Sequence, residues 1–154
     1  MGELSIERVT DITPEVIEAA TRLSEQLGSS DQVTISEDYL QRIVDNPDYF
    51  WLVARRHEDA RIIGMASLVM VPFPTNIRTT LENIVVDKEA RLKGVGTALC
   101  DVAKIIAFQN GANSVRAAAK KTNEASKGML RKAGFPVDDV VDHFELWLYK
   151  GPRF

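Results

Sequence analysis

Apolar residues follow two rhythms along the middle of this chain, and the switch between them marks its central unit. Leu81, Ile84, Val85 and Val86 form a short, nearly continuous apolar run, the pattern of a strand covered on both faces. From Val95 onward apolar residues recur at 95, 98, 99, 102, 105 and 106, one stripe along a long amphipathic helix that stops at the C-cap signal Asn110-Gly111. Between strand and helix lies a charged turn carrying Arg91, Lys93, Gly94 and Gly96.

The remaining pattern arranges itself around this unit. Leu4, Ile6 and Val9 suit a short edge strand. Thr13-Pro14-Glu15 has the chemistry of a helix start: a hydroxyl cap, proline at the first position and an acid in the first turn. That helix is expected to run to Leu23 or Leu27 and stop at Gly28. Ser36 caps a second helix through Tyr39, Leu40, Ile43 and Val44, closed by Asn46-Pro47. Residues 50–54 and 62–71 are apolar runs joined by polar His57-Glu58-Asp59, which predicts a β-hairpin. Pro72-Phe73-Pro74-Thr75-Asn76 interrupts the chain before a strand at 80–86, so three antiparallel strands are expected in series. Residues 114–119 lie where a right-handed crossover places a parallel neighbour. Asn123 to Lys132 reads as a helix ending at Gly134-Phe135, and residues 137–149 supply a final hairpin. The order is β-α-α-β-β-β-α-β-α-β-β, one α/β domain over residues 1–154.

Composition narrows the classes. At 154 residues, 45% hydrophobic and 27% charged, the chain suits one domain with a sizeable core. Its net charge of −3 leaves no basic surplus for nucleic acid. Cys100 is the only cysteine, which excludes an internal disulfide and fits a reducing, cytoplasmic setting. With two histidines far apart in sequence and one cysteine, no transition-metal site is expected. No apolar run is long enough to span a membrane, and the opening MGELSIERVTDI lacks the charged-then-apolar order of a signal peptide and the usual lipidation pattern.

The charged turn carries the chemistry. A helix N-terminus, glycines that expose main-chain N–H groups and two cations converge there, which makes an anion trap suited to a polyphosphate. A glycine pair also serves any tight strand-to-helix turn. The dinucleotide fingerprint wants a third glycine where Leu99 stands, and a P-loop wants Gly-Lys-Ser/Thr, whereas Lys93 precedes its glycine. A nucleotide-binding regulator of either kind is therefore disfavoured. The run Arg91-Leu92-Lys93-Gly94-Val95-Gly96 matches Arg-x-x-Gly-x-Gly throughout. With Leu81-Glu82-Asn83-Ile84-Val85-Val86 upstream, and Asn123 and Lys132-Ala133-Gly134-Phe135 downstream, it resembles the GCN5-related N-acetyltransferases (GNAT) over essentially its full length.

The resemblance implies a mixed, mostly antiparallel sheet with helices on both faces and acetyl-CoA at the splay between two parallel central strands. It implies an acetyl-CoA-dependent N-acetyltransferase without a metal, passing acetyl to a primary amine of a small molecule or peptide by direct attack in a ternary complex, and it allows a homodimer. Ile84, Val85 and Val86 would offer main chain to the pantetheine arm. Arg91 and the N–H groups of Leu92, Lys93, Gly94, Val95, Gly96 and Thr97 would hold the pyrophosphate. Asn123 would contact the pantetheine or nucleotide, and Lys127 a phosphate, unless Lys127 belongs to a solvated helix face. Glu82, placed by strand alternation on one face with Ile84 and Val86, would act as general base or amine anchor. Its structural alternative is a carboxylate paired with Arg78 or Arg91.

One position departs from the family. Leu130 stands where a tyrosine often protonates the departing thiolate, four residues before Gly134. Releasing a bare thiolate of pKa ~8.5 at neutral pH costs roughly 2 kcal/mol, whereas deprotonating an alkyl amine of pKa ~10.4 costs roughly 4.6 kcal/mol. The base matters more than the acid. Tyr49, His143 and Tyr149 are the other candidate acids. The acceptor would meet residues 28–34, 72–78 and 138–145, where Asp138, Asp139, Asp142 and Glu145 could draw a cationic amine. The competing reading is an acetyl-CoA-binding sensor or regulatory module of the same fold with little turnover.

Overall fold

The structure is a computed structural model that describes residues 2–27 and 34–136. Ten elements follow one another: β1 (Leu4–Arg8), α1 (Pro14–Gln26), α2 (Glu37–Val44), β2 (Tyr49–Arg56), β3 (Ile62–Pro72), β4 (Ile77–Val86), a 3-10 turn (Lys88–Ala90), α3 (Val95–Gln109), β5 (Arg116–Ala117) and α4 (Glu124–Lys132). The sheet runs β1-β2-β3-β4-β5, with antiparallel pairing through β4 and a parallel β4–β5 pair. This is the expected mixed sheet. The hairpin expected over 137–149 lies outside the described residues.

The caps form as their residue types dictate. The Val16 N–H donates to Thr13 Oγ1 at 3.3 Å and the Tyr39 N–H to Ser36 Oγ at 3.2 Å, each satisfying a donor that a helix start leaves without a partner. Central strands read as unbroken apolar runs because both sheet faces are covered. On one face Phe50, Leu52, Leu68 and Leu81 meet Leu99, Cys100 and Ala103 of α3. On the other, Trp51, Val53, Met65 and Val85 meet Val16, Ala20, Leu23 and Leu40 of α1 and α2.

Three expectations shift. β4 starts at Ile77 instead of residue 80, because the Phe73–Asn76 turn closes tightly: the Phe73 N–H donates to Asn76 O at 2.7 Å and the Asn76 N–H to Phe73 O at 3.3 Å. β5 contracts to two residues. The buried side of α3 is Val95, Gly96, Leu99, Cys100, Ala103 and Ala107, with Val102 and Ile106 at its margin and Ile105 exposed. Close approach selects that small-residue side. A Cβ on Gly64 of β3 would stand 3.2 Å from Val95 Cγ1 and 3.4 Å from Leu99 Cδ1, so helix and strand meet where the strand has no side chain.

Candidate active site

β4 carries an irregularity that decides where the chemistry points. Ser67 pairs with Glu82 and Met65 with Val85, so Ala66 alone opposes both Asn83 and Ile84. This is a β-bulge, and Asn83 adopts φ +50°, a left-handed conformation that asparagine tolerates better than most residues. The bulge reverses the alternation beyond it. Leu81 packs on the α3 side and Val85 on the α1 side, although they stand four positions apart, which plain alternation would put on one face. The expectation that Glu82 shares a face with Ile84 and Val86 is thereby corrected. Those two pack against the α3-side core, while Glu82 lies opposite them, level with Ser67 and Trp51. An asparagine inside an apolar strand was the available signal.

Two hydroxyls break the apolar lining next to Glu82. The Tyr49 hydroxyl donates to Ser67 Oγ at 2.5 Å, and Ser67 is buried. Burial pushes the Tyr49 phenol above its ordinary value, the Ser67 hydrogen bond opposes that, and nearby Tyr39 and Glu82 reinforce it. Tyr49 is thus a neutral hydroxyl at physiological pH. Glu82 is exposed and has no hydrogen bond or ion pair among the described residues. Neither proposed structural partner holds it. Arg78 lies over the Phe73 ring at 4.8 Å, and Arg91 Nε donates to Val86 O at 3.0 Å.

Among the described residues β4 also has an open edge. Its pairing with β5 covers only Thr80↔Arg116 and Leu81↔Ala117, while the strand continues to Val86. That edge leads to the charged loop. Leu92 at φ +62° and Gly94 at φ +83° flank Lys93, and the Leu92 side chain is fully exposed. Gly94 is the N-cap of α3 with no side-chain cap bond, and the helix ladder starts at the Ala98 N–H, which donates to Gly94 O at 3.0 Å. No N–H from Leu92 to Thr97 has an acceptor among the described residues. Successive free N–H groups at left-handed turns, capped by a helix dipole, form an anion-binding concavity. No acid occupies the first turn of α3 to compete for it.

The two glycines of the loop differ. Space around a Gly94 Cβ is open and only its positive φ demands glycine, whereas a Gly96 Cβ would stand 3.1 Å from Met129 Cγ. Gly96 lets α4 dock on the start of α3. A buried carboxylate fastens the loop from behind. Asp87 accepts from Arg22 Nη1, from Arg61 Nη2 at 3.3 Å and from Gln26 Nε2 at 3.4 Å, and Gln26 Oε1 accepts the Lys88 N–H at 3.0 Å. Sequence reading missed this tie between α1 and the loop, since no local pattern joins residues so far apart.

Other expected site residues have local duties. Asn123 Oδ1 accepts the Ser126 N–H at 3.0 Å, capping α4. Lys127 Nζ pairs with Glu124 Oε1 at 2.7 Å and also donates to Lys121 O at 3.1 Å. Leu130 is buried in the core. Cys100 is buried beside Met129, its thiol pushed up to about 11, chiefly by burial. No group of three His, Cys, Asp or Glu among the described residues could hold a metal ion, and no helix among them is long and apolar enough to cross a membrane. His143 and Tyr149 lie outside the described residues.

Known proteins share this fold. An aminoglycoside acetyltransferase from an uncultured soil metagenomic sample, solved with sisomicin, superposes with a TM-score of 0.81 at 18% identity, covering 95% of this chain and 97% of that one. Glucosamine-6-phosphate N-acetyltransferase from Arabidopsis thaliana gives 0.73 at 16% identity, covering 96% and 99%. A transcriptional regulator from Bacillus halodurans gives 0.77 at 17% identity, covering 95% and 100%. At such identities these likenesses speak for the fold alone, and no curated protein matches the sequence. The model of the acetyltransferase (GNAT) family matches residues 15–135, and so the chain belongs to that family.

Proposed function

We propose that this protein is an acetyl-CoA-dependent N-acetyltransferase acting on a primary amine by direct attack. One observation supports it above the others. Among the described residues, a run of main-chain N–H groups without acceptors, from Leu92 to Thr97, lies at the end of an open strand edge, and Glu82, a carboxylate without a partner there, stands on that same strand. The loop N–H groups and Lys93 hold the diphosphate of the donor. Main-chain groups of Ile84, Val85 and Val86 hold its pantetheine arm, with Asn123 and Lys127 toward the outer end. For Lys127 this requires release from Glu124. The donor supplies an acetyl thioester as electrophile.

The chain's own residues manage the protons. An amine arrives as ammonium, and Glu82 pairs with it, then takes its proton directly or through a water. The freed nitrogen attacks the acetyl carbon, and the C–S bond breaks with its electron pair on sulfur. CoA leaves as thiolate while the new amide nitrogen sheds its extra proton to that thiolate or to water. Glu82 then returns its own proton to solvent. Leu130 offers no proton to the sulfur. Tyr49, whose hydroxyl donates to Ser67, stays neutral beside Glu82 and adds polarity to that face without carrying charge.

Calorimetry with acetyl-CoA, CoA and NAD tests the loop, and binding of acetyl-CoA and CoA but not NAD is expected. Thiol release over a panel of aminoglycosides, amino sugars, polyamines, amino acids and peptides tests the transfer. A buried Leu130 also favours a second reading, a donor-binding sensor with little turnover. Tight acetyl-CoA binding without thiol release on any amine would select it.

A further inference from the structure

Beside the proposed catalytic carboxylate, β4 displays a second charge, of opposite sign, that has no partner among the described residues. Arg78 and Glu82 precede the bulge, so plain alternation puts them on one face of the strand with Thr80 between them, opposite Val71, Val69 and Ser67 of β3. They stand four positions apart along the strand, about 13 Å at ~3.3 Å per step. Arg22, Arg55, Arg56 and Arg61 each meet a carboxylate. Arg78 meets none among the described residues, and it is exposed.

It is nonetheless held. Its guanidinium stacks 4.8 Å above the ring of Phe73, and the paired hydrogen bonds between Phe73 and Asn76 fix the turn that carries this ring. Stacking occupies the flat face of a guanidinium and leaves its N–H edges free, and those edges match the paired oxygens of a carboxylate or phosphate. Arg78 is therefore a pre-oriented anion receptor on the strand face that holds Glu82.

We infer that Arg78 determines acceptor specificity, and that the acceptor is zwitterionic, with an amine for Glu82 and a carboxylate or phosphate for Arg78. This rests on the transferase reading above. A polycationic amine would bring positive charge against Arg78 and is disfavoured by it.

Matched amines differing in one anionic group test this: glucosamine against glucosamine 6-phosphate, and glycylglycine amide against glycylglycine. The anionic member of at least one pair is expected to show kcat/KM about tenfold higher, as one charge-assisted contact would give. Which pair responds tells phosphate from carboxylate. Arg78→Met should bring the ratio toward one through KM, and Arg78→Lys should keep part of it. Arg56→Met, which removes a cation paired with Asp59 on the distant hairpin, should leave the ratio intact. Ratios near one in the wild type, or a ratio untouched by Arg78→Met, would overturn the inference. Should neither member of any pair be acetylated, the transferase reading fails for these amines, and calorimetry of the same pairs with CoA present decides Arg78 alone. Tighter binding of an anionic member, lost in Arg78→Met, supports the site, and equal or absent binding overturns it.

Discussion

The two halves of the site are built by opposite means. The anion loop, residues 91–97, is contiguous, made almost entirely of main chain, and specified by left-handed turns at Leu92 and Gly94. The proposed acceptor face is made of side chains from β2, β3 and β4, where Tyr49, Ser67, Arg78 and Glu82 come to one side of the sheet only through strand register. A backbone device can be coded in a few consecutive residues, because its donors need no side-chain identity beyond what the turns demand. A side-chain device depends on pairings dozens of residues apart, and one inserted residue reverses its facing. In the proposed reading the first would suit a donor that stays the same, and the second an acceptor that varies.

Mutations should separate the halves. Glu82→Gln is expected to have the largest effect, lowering turnover by about 100-fold or more, as loss of a general base does. Acetyl-CoA affinity should stay within about twofold, since the carboxylate lies outside the loop. Steady-state thiol release and calorimetry read the two separately, and undiminished turnover at neutral pH would remove Glu82 from catalysis.

Asp87→Asn addresses the tie behind the loop. Breaking a fully buried ion pair costs roughly 3–5 kcal/mol, and the exposure of Arg22 and Arg61 reduces that to about 2 kcal/mol. A melting temperature lower by roughly 6 °C should result. An unshifted melting curve would mean that α1 does not brace the loop.

The glycines should part company next. Gly94→Val forces a β-branched residue into a left-handed conformation at a cost of about 1–2 kcal/mol, so acetyl-CoA affinity should fall about tenfold as the turn reshapes. Gly96→Ala should instead lower stability by about 1 kcal/mol, moderated by the flexibility of Met129. Identical phenotypes in the two variants would contradict the division of labour between these positions.

The smallest effect concerns pH. Folding raises the Cys100 thiol from 9.0 to about 11, so between those values the folded chain keeps a proton that the unfolded chain has released. Stability from this source is complete below pH ~9 and is lost as pH rises toward 11, by about 1 kcal/mol at pH 10. Chemical denaturation of wild type beside Cys100→Ala at pH 7 and 10 measures it, and parallel losses in both proteins would assign the alkaline slope elsewhere.

Much of the molecule was readable from its residues because the determinants are local. Thr13, Ser36 and Asn123 cap the helices they precede, Asn46-Pro47 ends α2, and the Arg91 to Gly96 run encodes its own turn. The buried side of α3 was legible only in outline, since Gly64 on another strand decides how the helix seats. Glu82 could be chosen from the sequence but not aimed. Its facing follows from the extra residue at Asn83, and a bulge exists only relative to the strand it pairs with. The Asp87 network and the Phe73–Arg78 stack likewise need the assembled sheet. What the sequence settled by itself was every feature whose cause lies within a turn or two of chain. Tertiary structure decided which charges lack a partner among the described residues and which way they face, because facing is a property of register and register needs a partner strand.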